Sequence, residues 1–131
     1  MASIHKELAL EVAPDEAWAA LRQVGDAHKL FAPVLTDLRL DGDVRAVRFA
    51  NGMIVHERIL DIDDQKRRVA YTATDVPGMT YHHASMQIVD AGSARCQFVW
   101  ITDFLPAEMR DGLAPLIEQG SQALKMNVEN R

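Results

Sequence analysis

The stretch TDLRLDGDVRAVRFANGMIVHERILDIDDQKRRVAYTATDVPGMTYHHASMQIVDAGSARCQFVWITDFLP, Thr36 to Pro106, decides the fold of this chain. It breaks at turn-forming clusters: Asp41-Gly42-Asp43, Asn51-Gly52, Asp63-Asp64-Gln65-Lys66, Ala91-Gly92-Ser93 and a wider join at Pro77-Gly78. Asn-Gly between alternating apolar residues is the strongest short-range hairpin signal. The runs between the breaks predict strands near Leu38–Leu40, Val44–Ala50, Met53–Ile62, Arg68–Thr74, Met79–Val89 and Ala94–Phe104. Every join is short, so neighbouring strands are antiparallel.

Upstream, Ser3–Val12 alternates, with Ile4, Leu8, Leu10 and Val12 on one face, and reads as a further strand. Pro14 opens a helix, because its fixed φ and missing N–H suit a first turn. Asp15 and Glu16 follow where the helix dipole favours anions. Ala17, Trp18, Leu21 and Val24 form the apolar stripe. Gly25 is predicted to end that helix, Asp26 to cap a short second one, and Pro33 to stop it. Downstream, Pro106 to about Glu129 reads as a long helix with Met109, Leu113, Leu116, Ile117, Gly120 and Leu124 on one face. Pro115 deprives the carbonyl of Asp111 of its partner, which predicts a break near Asp111–Ala114. Gly112 and Gly120 leave room either for a guest or for close packing on the sheet. The whole, residues 1–131, is expected to be one α+β domain: a curved antiparallel sheet of about seven strands, two small helices after the first strand, and a long C-terminal helix on the concave face.

Alternation assigns the faces. Cys96, Phe98, Trp100, Thr102 and Phe104 form the inward set of the last strand; Val69, Tyr71 and Ala73 of theirs; Arg45, Val47 and Phe49 of theirs. Two strands stay open. Met53–Ile62 presents either Met53, Val55, Glu57 and Ile59 or Ile54, His56, Arg58, Leu60 and Ile62. Its later neighbour presents either Tyr81, His83, Ser85 and Gln87 or His82, Ala84, Met86 and Ile88, and a bulge at His82-His83 would bring both Tyr81 and Met86 inward.

Composition narrows the function. The net charge is −5 and the longest basic block is Lys66-Arg67-Arg68, which argues against a nucleic-acid partner. No apolar run approaches membrane-spanning length, and the N-terminus has no apolar signal-like region. A cytoplasmic setting without membrane insertion is the expectation. The one cysteine, Cys96, lies in an apolar run and reads as a buried free thiol.

The order of elements resembles the helix-grip fold of the START-like superfamily, and within it the polyketide cyclase/dehydrase and lipid-transport group, often called SRPBCC. The resemblance rests on Gly42-Asp43-Val44-Arg45, Asn51-Gly52, Glu57-Arg58, Asp61 or Asp63, Tyr71, Tyr81, Trp100, Phe104-Leu105-Pro106, and the early Ala13-Pro14 to Trp18. It implies a hydrophobic cavity between sheet and C-terminal helix, for binding or for cyclising and dehydrating polyketide-like chains. The segment Gly25–Pro33 lacks the tryptophan often found there in larger members, which argues against a lipid-sized cavity.

The expected function is therefore binding of a small, mainly hydrophobic molecule by Arg45, Glu57, Tyr71, Tyr81, His82, Met86, Phe98, Trp100, Ile117 and Leu124. An ion pair of Arg45 and Glu57 across the Asn51-Gly52 hairpin would either orient a polar ligand group or brace the wall. The first alternative is a cyclase- or dehydratase-like enzyme, with His82, Tyr81 or Glu57 moving protons. The second is a protein-interaction module working from its outer surface, where Val99 and Ile101 could also serve a homodimer. No cofactor is implied. No metal is expected either, because His82 and His83 alternate to opposite faces and His56 is on another strand.

Overall fold

Hydrogen bonding between consecutive hairpins builds one seven-stranded antiparallel sheet. The computed structural model describes residues 1–131. The strands are β1 (Ala2–Leu10), β2 (Leu35–Asp41), β3 (Val44–Phe49), β4 (Ile54–Asp63), β5 (Arg68–Ala73), β6 (Tyr81–Asp90) and β7 (Cys96–Leu105). Their order is β1-β7-β6-β5-β4-β3-β2, so the first and last strands of the chain pair and the others follow as a meander. The helices are α1 (Pro14–Leu21), α2 (Ala27–Leu30) and α3 (Arg110–Glu129). This is the helix-grip architecture expected from the strand and turn pattern. No helix is long and apolar enough to cross a membrane.

Two local devices bend the sheet around α3. Gly42, at φ +62°, takes the first of two turn positions between β2 and β3, where a primed hairpin turn demands a left-handed residue. In β4 the register shifts between Ile59 and Asp61. Such a bulge sharpens strand curvature and resets the alternation. Before it, Val55, Glu57 and Ile59 face the concave side; after it, Ile62 pairs with inward Val69. Each open phase of this strand thus holds on one side of the bulge.

The helical expectations need three corrections. α1 ends at Leu21, not Gly25, and the chain tightens into a 3-10 turn over Val24–Asp26. Gly25 lies inside that turn, and a Cβ there would meet Leu40 Cδ2 at 3.2 Å. Asp26 makes no side-chain cap bond, because the turn leaves it at φ −112°, ψ 17°, away from the extended N-cap conformation. Third, α3 runs unbroken through Pro115 after a short 3-10 turn at Ala107–Met109. Pro115 is only the sixth residue of the helix. The carbonyl it frees belongs to Asp111, an exposed residue in the first turn, where solvent can take the place of the missing donor.

The concave space is filled at one end. Leu10, Trp18, Ile88, Cys96, Phe98, Leu124 and Val128 pack where α1 and the second half of α3 meet β1, β6 and β7. Phe98 and Leu124 are 0% and 1% exposed. Burying each such side chain stabilises the fold by about 1.5–3 kcal/mol.

Candidate functional site

At the other end, between β3–β7, α2 and the first half of α3, the same two layers enclose a cavity of about 280 Å³. Of its 24 lining residues, 18 are hydrophobic. Trp100 forms the partition between the filled and hollow ends. Its ring lies 5.8 Å from Phe31 and 6.0 Å from Phe98, centroid to centroid. Gly120 lets α3 approach it: a Cβ there would stand 3.1 Å from Trp100 Cζ3. The close-packing reading of Gly120 therefore holds. Gly112, also on the lining, has nothing within 4 Å of a hypothetical Cβ, so at that position the missing side chain leaves open space.

The polar groups of the cavity come from three neighbouring strands. The β3–β4 register sets Arg45 opposite Glu57. Arg45 Nε donates to Glu57 Oε1 at 2.8 Å, and the two side chains are 7% and 14% exposed. Arg45 Nη1 donates to the Val24 carbonyl at 3.0 Å, and the guanidinium carbon lies 5.2 Å from the Tyr71 ring centroid. Desolvating this charge costs several kcal/mol. The counter-ion, the carbonyl and the aromatic face together offset that cost.

Tyr71, on β5, is buried and its hydroxyl accepts from Trp100 Nε1–H at 3.2 Å. Burial foremost, then the Glu57 charge, pushes the phenol well above its ordinary range, so it stays protonated. With its oxygen already accepting, the O–H is left to donate, and no protein acceptor meets it.

His82 marks the place where β5 and β6 part. Their pairing stops at Tyr71 and Ala84. Beyond it, the Ala73 backbone N–H donates to His82 Nδ1 at 2.9 Å instead of to a backbone carbonyl. The Thr72 hydroxyl donates to the His82 carbonyl at 2.6 Å. An imidazole accepting at Nδ1 carries its proton on Nε2 when neutral. Burial, reinforced by neighbouring His83, holds the pKa down to about 4. His82 is thus a neutral residue on the cavity wall with an N–H to offer.

Arg45, Glu57, Tyr71, His82, Met86, Trp100 and Ile117 all line this cavity; for Glu57, His82 and Met86 this settles which of the two open phases faces inward. Three expected wall residues do not. Phe98 and Leu124 belong to the packed core beyond the Trp100 partition. Tyr81 is 43% exposed on the opposite face of the sheet. The β6–β7 register runs without a shift from Tyr81–Leu105 to Asp90–Cys96, so no bulge turns Tyr81 inward. His83 alternates outward with it. His56 is also outside, with Nδ1 2.6 Å from Asp75 Oδ2. No three His, Cys, Asp or Glu side chains gather as a metal site.

Among the lining residues absent from the expected wall are three methionines, Met53, Met79 and Met109. Met109 was on the inward face proposed for its helix, and Met53 on one of the two phases left open for its strand. Met79, expected as the first residue of a strand Met79–Val89, lies before β6, which begins only at Tyr81, so strand alternation does not orient it.

A seven-stranded sheet gripping a long helix, with an apolar cavity between them, defines a START-like protein. The chain matches the family described as polyketide cyclase / dehydrase and lipid transport over residues 1–129, and it belongs to that family. The protein XoxI from Bacillus cereus superposes with a TM-score of 0.88 at 18% identity, covering 96% of this chain and 94% of that one. Norcoclaurine synthase from Thalictrum flavum, in complex with dopamine and hydroxybenzaldehyde, superposes with a TM-score of 0.77 at 20% identity, covering 98% and 84%. The di-domain ARO/CYC BexL of the BE-7585A biosynthetic pathway gives 0.84 at 13% identity, with 98% of this chain on 47% of that one. Identities this low establish a common fold. A search of curated protein sequences gave no match.

Proposed function

We propose that the protein binds a small, mainly hydrophobic organic molecule in the cavity between the sheet and the first half of α3. The observation that carries this reading is a predominantly apolar hollow of about 280 Å³ beside a buried core built from the same elements. Small-molecule sites generally measure roughly 300–1,000 Å³ and combine apolar walls with a few placed polar groups. At the lower edge of that range, the cavity suits a compact body of one or two rings and not a lipid chain. Norcoclaurine synthase, with dopamine and hydroxybenzaldehyde, is a precedent for this fold carrying small ring compounds.

Binding is favoured over cyclase- or dehydratase-type catalysis by the state of the candidate bases. His82 accepts at Nδ1 and holds its proton on Nε2, so neither nitrogen is a ready base. Glu57 is committed to Arg45. Tyr71 stays protonated, and Tyr81 is outside the cavity. The interaction-module reading has less support. Val99 and Ile101 are only half exposed on the outer face, where Gln87, Glu7, Ser85 and His5 flank them across the strands.

Native mass spectrometry of the protein purified from its own host tests the proposal. A co-purifying small molecule, released on unfolding and absent when Gly112 is replaced by a bulky residue, supports it. A chain that emerges empty and also fails to bind any of a library of one- and two-ring compounds contradicts it.

A further inference from the structure

Resting on the binding reading above, we infer that the bound molecule is an uncharged compound presenting a carbonyl-type oxygen to His82 Nε2–H and the Tyr71 hydroxyl. The inference comes from counting which polar atoms of the cavity are already used. The Tyr71 oxygen accepts from Trp100, so its hydrogen points away to a missing acceptor. His82 Nδ1 accepts from Ala73 N–H, so Nε2 is left as a donor with no partner in the protein. The two rings are 5.8 Å apart, centroid to centroid, and a single carbonyl oxygen with two lone pairs can accept from both. The Thr102 hydroxyl, also on the wall, can play either role, and Glu57 Oε2 and the remaining Arg45 N–H groups, acceptor and donors of one ion pair, offset one another.

The charged groups argue for a neutral guest. Arg45 would attract a carboxylate, but Glu57 at 2.8 Å cancels most of its field and repels an anion approaching either residue. An ammonium meets the converse: Arg45 Nε, 2.8 Å from Glu57 Oε1, cancels most of the carboxylate's field, and the two unpaired donors present hydrogens to a group that has no lone pair. A pure hydrocarbon would fill the apolar volume but leave both donors dry and unpaired, a costly arrangement. A ketone, aldehyde or quinone-like oxygen on a compact ring body satisfies every one of these conditions.

Isothermal titration with 1-tetralone, its hydrocarbon tetralin and its amine 1-aminotetralin separates the possibilities. The ketone is expected to bind at least tenfold tighter than the hydrocarbon, and the amine weakest of the three. His82→Asn keeps an acceptor for Ala73 N–H and removes the donor at the ring's far side, so the ketone advantage should shrink to a few-fold, with tetralin binding no more weakly than before. His82→Gln, which returns an N–H at that reach, should restore part of it. Tyr71→Phe should lower the ketone advantage independently. Equal affinities for ketone and hydrocarbon, tighter binding of the amine, or a ketone advantage that survives both His82→Asn and Tyr71→Phe would overturn the inference while leaving the cavity a binding site. Failure of all three compounds to bind the wild-type chain would overturn this inference, while the binding reading falls only if the chain also emerges empty and binds none of the wider library.

Discussion

The two halves of the concave face are made from the same sheet and the same helix, yet one is solid and the other hollow. On the solid side, Phe98, Leu124, Leu10 and Val128 pack together as buried core. On the hollow side, α3 offers Gly112, Leu113, Leu116 and Ile117 to strands that carry Arg45, Glu57, Tyr71 and His82. Volume holds the first half together; paired polar groups hold the second. Trp100 separates them, pinned by the Tyr71 hydroxyl on one side and by Gly120 behind. The contrast teaches that a helix-grip protein does not need a weak core to keep a cavity. It needs a partition that stops the core from spreading.

The largest expected effect breaks the solid half. Phe98→Ala removes a fully buried ring and should cost about 3–5 kcal/mol, read as a fall in the urea midpoint. A loss under about 1 kcal/mol would mean that half is not close-packed. In the hollow half the sensitive feature is charge. Glu57→Ala strands the buried Arg45 guanidinium and should cost about 3 kcal/mol, whereas the double change Arg45→Met with Glu57→Leu should recover most of it. If the double variant is as unstable as the single one, the pair is not the brace described here.

A pH titration sharpens the same contrast. His82 has a folded pKa near 4 against an ordinary value of 6.5, so below pH 6.5 the unfolded chain takes up a proton that the folded chain refuses. Stability should therefore fall as pH drops, by at most about 1.4 kcal/mol per unit, between about 6.5 and 4, and level off below. His82→Asn should flatten that part of the profile. An unchanged slope in the variant would place the proton uptake elsewhere.

The smallest effects compare two glycines of one helix. Gly112→Ala meets open space and should gain up to about 1 kcal/mol from helix propensity. Gly120→Ala drives a methyl group against Trp100, and overpacking of about 1–3 kcal/mol should outweigh that gain. Thermal melts of the two variants should move in opposite directions. Shifts of the same sign would remove the distinction between a spacer glycine and a packing glycine.

Much of this contrast was legible in the residues. Asn51-Gly52 fixed the hairpin that pairs Arg45 with Glu57, and strict alternation in β5 and β7 turned Tyr71 and Trp100 inward. What alternation cannot give is depth along a strand. Phe98 and Trp100 share a face two residues apart, and only the position of α3 puts one in the core and the other on the cavity wall. Tyr81 was misplaced through a bulge that pairing with β7 does not contain. The bulge in β4, at Leu60, has no signature in a run where both phases are partly apolar. The role of His82 depends on where β5 and β6 separate, a tertiary event that leaves the imidazole to replace a strand carbonyl.

The hollow half is tested most directly by its own partition. In a Trp18→Phe chain Trp100 is the one tryptophan left, and it forms part of the cavity wall. Titrating that chain with tetralin, a compact apolar bicycle, should shift the Trp100 emission along a saturable curve of one site per chain. Emission that stays constant up to the solubility limit of the compound would contradict the existence of an accessible cavity beside Trp100.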